Sequence, residues 1–177
     1  NHLGTGTAQD YIKVLTVSGT TTTVNSANNL TASHLPMKLT KVSSTVLVGV
    51  SDKFDDDDYY LRLFAVSGNT VTQLDILLFS TNGQQPHQDE YIEMITANRG
   101  LVSYVDFDDS NKMKILVVDV SGNVLQKTST LTVDTGSCNY GGICPCDTSG
   151  NAVFTYVDNT ATDTDSVVVQ VPDGVVY

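Results

Sequence analysis

Several residue types are scarce in this chain, and each shortage excludes a class of function. The 177 residues include no tryptophan, and only 9 lysines and arginines stand against 20 acidic residues, for a net charge of −11. Nucleic acids require basic side chains that neutralise phosphate, and anionic membrane surfaces attract basic segments. We therefore expect neither a nucleic acid nor a membrane as partner. Cation binding or solubility in salt suits the acidic balance better.

Long apolar segments are missing as well. The apolar runs, such as residues 46–50 and 115–118, fall far short of the roughly 20 residues that a transmembrane helix needs. No signal-peptide pattern opens the chain, which begins with Asn1, so we expect a processed or excised N-terminus. The overall hydrophobic content of 40% still allows a folded core.

Catalytic signatures are the third absence. The sequence carries no nucleophile elbow, phosphate loop or dinucleotide fingerprint. Glutamate occurs only at Glu90 and Glu93, and the histidines His2, His34 and His87 lie apart in polar sequence. We therefore expect a protein that is not an enzyme.

The residues that are abundant favour strands and turns. Threonine, serine, aspartate, asparagine, valine and glycine dominate, and no window shows a sustained helical period with caps. These features predict an all-β fold.

An internal repeat is the main signal. Val-Ser-Gly occurs at residues 17–19, 66–68 and 120–122, and Pro-Asp-Gly follows at 172–174, so the glycines are 49, 54 and 52 residues apart. An apolar run ending in aspartate precedes three of these glycines, with 16 residues from Asp52, Asp106 and Asp158 to the next repeat glycine. The equal spacing predicts three equivalent β-hairpins, each closed by a glycine turn.

Each period of about 50 residues has room for four strands, which is the size of a β-propeller blade. We predict one repetitive β domain over 1–177, with blade-like repeats at about 11–58, 59–111 and 112–164 and a partial repeat at 165–177. A β-sandwich is the alternative fold, although it would not require the regular sub-repeat.

The repeats resemble propeller-like segments of phage tail fibres and of surface proteins from marine microbes and large algal viruses. The similarity rests on an apolar strand of the type Leu101-Val102-Ser103-Tyr104-Val105-Asp106, an acidic loop, Val-Ser-Gly and a threonine-rich strand, and it covers about residues 11–174. It implies no catalytic residues. Pro172 in the last repeat and the cysteine-rich insert in the third depart from the pattern.

The acidic loops are candidate cation sites. They comprise residues 52–58, then Asp106, Asp108 and Asp109, then Asp158, Asp163 and Asp165. Calcium takes several hard oxygen ligands on a flexible loop, so calcium is the one cofactor considered, with Asp106, Asp108 and Asp109 as its ligands. The competing interpretation is a solvated hairpin tip whose charges discourage edge aggregation.

Cysteine chemistry points to an oxidising compartment. Cys138, Cys144 and Cys146 lie in one glycine-containing segment without a redox or zinc motif. We predict a disulfide from Cys138 to Cys144 or Cys146, which fits an extracellular, cell-surface or virion-surface location. Asn29 begins the one N-glycosylation sequon, Asn29-Leu30-Thr31.

These features favour a non-enzymatic structural or fibre protein that mediates assembly or attachment. A glycan-binding lectin or adhesin and a non-catalytic portion of a larger secreted hydrolase are the alternatives. Since both ends of the sequence fall inside predicted blades, we expect the terminal strands to meet other copies of the chain or the rest of a longer chain.

Overall fold

The computed structural model describes residues 11–29, 38–53, 58–81, 90–106, 108–134, 136–146, 150–159 and 163–170. These ranges contain strands and turns and no helix, so none of them holds a helix that could cross a membrane. The strands are β1 (Tyr11–Ser18), β2 (Thr21–Asn29), β3 (Lys38–Lys41), β4 (Val46–Lys53), β5 (Asp58–Ser67), β6 (Thr70–Ser80), β7 (Tyr91–Met94), β8 (Arg99–Asp106), β9 (Lys112–Ser121), β10 (Val124–Thr132), β11 (Cys138–Pro145), β12 (Asn151–Asp158) and β13 (Asp163–Gln170). The predicted all-β fold is confirmed.

Neighbouring strands in the chain pair antiparallel and form four small sheets. The first sheet is the β1–β2 hairpin, the second contains β3–β6, the third β7–β10 and the fourth β11–β13, each in sequence order. The sheets divide the chain at other points than predicted. The expected boundaries at 58/59 and 111/112 fall within the second and third sheets, whose strands span 38–80 and 91–132.

The Val-Ser-Gly turns are equivalent in three sheets. Gly19, Gly68 and Gly122 have φ angles of 61°, 56° and 60°, each at the first of two loop residues. A type II′ turn requires this left-handed conformation at that position, which glycine adopts without steric cost. In each sheet the strand register then shifts after the fifth residue beyond the glycine, at the pairs Leu15–Val24, Phe64–Gln73 and Val118–Lys127.

The turns that lead into β4 and β8 are equivalent too. The amide of Val42 donates to the carbonyl of Val46 at 2.9 Å, and the amide of Ile95 donates to the carbonyl of Arg99, also at 2.9 Å. Strand β4 begins at Val46 and β8 begins at Arg99, the acceptors of these two hydrogen bonds, so β4 and β8 occupy the same position in their sheets.

The equal spacing between aspartate and glycine does not reflect equal register. Asp52 pairs with Tyr59, and one further pair, Lys53 with Asp58, closes the second-sheet hairpin. In the third sheet Asp106 itself forms the last pair, with Lys112. The loop there is one residue longer and includes Ser110 and Asn111, both at φ 61°. Asp106 therefore corresponds in the sheet to Lys53 and not to Asp52.

The third sheet is covered on both faces, which explains why its central strands β8 and β9 are apolar at successive positions. Val102 and Leu116 lie in a buried cluster with second-sheet side chains such as Leu63. Leu101 and Val117 lie in another cluster, with fourth-sheet side chains. Neighbouring residues of one strand thus serve two different cores.

The third sheet therefore has a back face, toward the preceding sheet in the chain, and a front face, toward the next, and the corresponding faces of the other sheets take the same names. In the second and third sheets the residues five positions before the turn glycine, Leu63 and Val117, are on the front. The residue four positions before the glycine in the third sheet, Val118, is on the back. The fourth sheet packs its back on the third through Phe154 and Val169. The three sheets are stacked front to back.

Candidate functional site

Three carboxylates converge beside the fourth sheet. Asp134 follows β10, Asp158 ends β12, and Asp165 lies on β13 opposite Tyr156. One carboxylate oxygen from each lies within 4.8 Å of the others. The amide of Gly136 donates to Asp134 Oδ1 at 2.7 Å, a local hydrogen bond within the loop between β10 and β11.

Two further polar groups border these carboxylates. The hydroxyl of Tyr156 donates to Asp134 Oδ2 at 2.9 Å. Burial, then this hydrogen bond and the charge of Asp134, raise the pKa of the Tyr156 hydroxyl far above its ordinary value. Burial, followed by the charges of Asp134, Asp158 and Asp165, also raises the pKa of the Cys138 thiol. Both groups therefore remain protonated at neutral pH.

The arrangement is suited to a hard cation, but it supplies only part of a coordination shell. Calcium takes about six to eight oxygen ligands, and three carboxylates provide fewer than that. Sequence analysis singled out Asp158 and Asp165 as part of an acidic loop and missed Asp134. Asp134 is 24 residues before Asp158, and only the packing of the β10 end against the fourth sheet brings it there.

The acidic loop after β8 is held by lysines. Lys114 Nζ lies 2.6 Å from Asp106 Oδ2 and 3.0 Å from Asp109 Oδ2, and Lys112 Nζ lies 2.6 Å from Asp109 Oδ1. These hydrogen bonds hold the pKa of the Asp109 carboxyl below its ordinary value. Calcium binding by Asp106, Asp108 and Asp109 stays a prediction, and a cation there would compete with two ammonium groups.

The cysteine segment forms a strand and contains no disulfide. Cys138 and Cys144 lie on β11 six residues apart, and both are free thiols, as is Cys146. An extended strand separates such positions by roughly 20 Å, whereas a disulfide needs Cα atoms about 5.5 Å apart. The predicted bond from Cys138 to Cys144 or Cys146 is therefore not formed in this structure. Cys138 is buried against the third sheet, and the other two thiols are exposed.

Several predicted positions lie wholly or partly outside the described residues. Asn29 ends β2, while Leu30 and Thr31 of its sequon lie outside. So do the three histidines and residues 54–57 of the first acidic loop.

A cleft of about 490 Å³ lies between the ends of the second and third sheets. Its lining includes Phe79, Tyr104, Asp106, Lys114 and Thr130. The two aromatic rings pack edge to face with centroids 5.2 Å apart, and both side chains are buried. Because these rings cover one another, the wall that the cleft presents to solvent is mainly polar.

A second open cleft of about 570 Å³ contains a charged pair that links two strands. Arg99 Nε and Nη2 donate to the two oxygens of Asp119 at 2.6 and 2.8 Å, and Thr128 Oγ1 donates to Oδ2 at 3.1 Å. The corresponding pair in the second sheet is Val46 with Ala65. The ion pair therefore replaces an apolar cross-strand contact and has a structural role.

Comparisons with known proteins found no family model, no curated protein and no solved structure that matches this chain.

Proposed function

We propose that this chain is a non-enzymatic structural module of an extracellular, cell-surface or virion-surface protein, built from propeller-type blades, that mediates assembly or attachment. The observation that carries the proposal is the front-to-back stacking of three antiparallel sheets, with the third sheet buried on both faces. Such stacking is how repeat proteins build a continuous core.

The order of the faces favours blades over a two-sheet sandwich. A sandwich encloses a single core between two inner faces. Here one cluster joins the second and third sheets and another joins the third and fourth. The first strands of neighbouring sheets also meet, since Thr40 on β3 donates to Glu93 on β7 at 3.1 Å. Equivalent strands lying side by side are what successive blades would provide.

The polar cleft and the three clustered carboxylates make ligand binding the second candidate function. A lectin or adhesin would use the cleft around Asp106 and Lys114 or the group around Asp134. Sugar-binding sites commonly present an open aromatic face, whereas Phe79 and Tyr104 are buried and pack edge to face on one another. Assembly is therefore the better supported role.

The proposal is tested by screening the chain for turnover and for adhesion together. We expect no hydrolysis of chromogenic glycosides, esters or peptides, with self-assembly or surface attachment measured on the same preparation. Most glycosidases need two closely placed carboxylates, and the described residues bring three together at Asp134, Asp158 and Asp165. Turnover that is lost in an Asp158→Asn variant would overturn the proposal. Glycan binding abolished by Lys114→Ala would favour the lectin.

A further inference from the structure

The outer face of the first sheet is apolar and exposed where equivalent positions are buried. Leu15, Phe64 and Val118 each lie four residues before a turn glycine. Phe64 and Val118 are 0% exposed, whereas Leu15 is 56% exposed. Val17 is 68% exposed, and its third-sheet equivalent, Val120, is 4% exposed.

The rest of the chain shows what covers this kind of face. Val118 and Val120 are on the back of the third sheet, in a cluster with the front of the second sheet. Leu15 and Val17 hold the same places in their hairpin, and Val24 pairs with Leu15. The back of the first sheet therefore has the chemistry that elsewhere packs on the front of a preceding sheet.

The opposite end of the stack presents a matching front face. Because Phe154 and Val169 are on the back of the fourth sheet, their alternating neighbours Val153 and Val168 are on its front, paired with one another. Val168 is 70% exposed. The cross-strand pairs that continue this face are uncharged, namely Thr155 with Ser166 and Val157 with Thr164.

Charge favours contact between these two ends. The chain carries a net charge of −11, so two copies repel over most of their surfaces. The front of the fourth sheet is uncharged at the positions named above, and Asp165 lies on the other face, opposite Tyr156. Lys13, which shares a face with Leu15 by alternation, adds a basic group to the back of the first sheet. Neither β1 nor β2 contains an acidic residue that would repel an acidic partner.

We propose that a second copy of this chain docks the front of its fourth sheet on the back of the first sheet, continuing the front-to-back stack between molecules. This inference rests on the proposed function, and it names the partner and the two surfaces. The two surfaces differ, so the contact is heterologous, and successive copies close into a ring or extend into a filament.

Cysteine crosslinking between two variants tests the orientation. Both variants carry Cys144→Ser and Cys146→Ser to remove the exposed thiols, while the buried Cys138 is kept. One adds Val17→Cys and the other Val168→Cys, and a bifunctional thiol reagent spans the ~10 Å expected between packed sheets. We expect a crosslinked dimer from the mixture and from neither variant alone. A dimer from Val17→Cys alone would overturn the proposal, because it would indicate back-to-back contact.

Sedimentation velocity supplies the second readout. We expect Val17→Asp and Val168→Asp each to weaken self-association by about tenfold or more, since each places an unpaired charge in an apolar contact. Val124→Asp is the matched control, because Val124 is an exposed valine, at 49%, in the third sheet and away from both end faces. The variants change exposed side chains, so circular dichroism should show an unchanged fold.

The outcomes separate this inference from the proposed function. A chain that remains monomeric at the highest soluble concentration, or assembles with equal strength in the Asp variants, overturns head-to-tail docking. If that chain still attaches to surfaces or assembles through another face without turnover, the proposed structural function stands. Turnover of a substrate would overturn the function instead.

Discussion

At the scale of single residues, a glycine makes room for a buried ring in the core that the third and fourth sheets share. A Cβ atom added at Gly141 would lie 2.8 and 2.9 Å from ring atoms of Phe154 and 3.2 Å from Met113 Cε. The Phe154 ring is fully buried and stacks on Tyr156 at a centroid distance of 5.5 Å, so it has little freedom to move. The absence of a side chain at Gly141 lets the two sheets share one core.

We expect Gly141→Ala to lower the free energy of unfolding by about 1–3 kcal/mol, the cost of overpacking a core. Gly142→Ala is the matched control. Its Cβ would be 3.6 Å from Thr155 Oγ1, an ordinary contact, so it should be neutral or slightly stabilising. Urea unfolding of the two variants gives the comparison. Equal stabilities would mean that the Phe154 ring does not pack against Gly141 as described.

The Arg99–Asp119 pair gives a pH-dependent prediction. The Arg99 hydrogen bonds hold the pKa of the Asp119 carboxyl below its ordinary value in the folded chain. The stabilisation is therefore present above the unfolded-state pKa, about 3.9, and is lost as the pH falls through the lower folded-state pKa. We expect Asp119→Asn to destabilise the protein at pH 7 and to have a smaller effect near pH 3. Chemical unfolding at both pH values measures the loss of stability. A larger loss at pH 3 than at pH 7 would contradict this prediction.

At the scale of strands and sheets, packing changes the environment of equivalent positions. Phe64 and Leu15 occupy the same place relative to a turn glycine, yet only Phe64 is buried. Since the local turn and the register shift are the same, the difference comes from what covers each sheet.

Truncation at these two positions should therefore have unequal effects. We expect Phe64→Ala to cost about 3–5 kcal/mol of stability, as removal of a buried aromatic ring does. Leu15→Ala should stay within about 0.5 kcal/mol, which is usual for an exposed position. Thermal and urea unfolding of dilute protein provide the values. A large loss for Leu15→Ala would show that the face is already covered within one chain.

The sequence was informative about these elements where the signal is local. The turn glycines, the strand-rich composition and the strands that are apolar on both faces follow from turn chemistry and burial, and the structure has them.

The different registers of Asp52 and Asp106 could not be predicted, because equal spacing along the chain cannot show that one loop is a residue longer. Glycine and proline in residues 138–146 favour a loop, but cross-strand pairing with β12 makes Cys138–Pro145 a strand. The grouping of Asp134 with Asp158 depends on packing between sheets, for which no local pattern exists.

At the scale of the whole molecule, the acidic charge opposes the association that the end faces favour. Each copy carries a net charge of −11, and screening shortens the range of repulsion from about 30 Å at 0.01 M salt to about 8 Å at 0.15 M. We expect self-association to strengthen as sodium chloride rises over this range, since the contact itself is apolar and largely uncharged. Sedimentation equilibrium at several salt concentrations tests this. Weakening by salt would instead indicate a contact made by ion pairs.

The central claim is that the sheets are stacked front to back, with the third covered on both faces and the apolar back of the first exposed. Amide hydrogen exchange of dilute, monomeric protein tests it most directly, because protection reports how each strand is covered. The account predicts the slowest exchange in β8 and β9 and much faster exchange in β1 and β2, although β1 and β9 are equivalent strands of the repeat. Protection in β1 and β2 equal to that in β8 and β9 would contradict it.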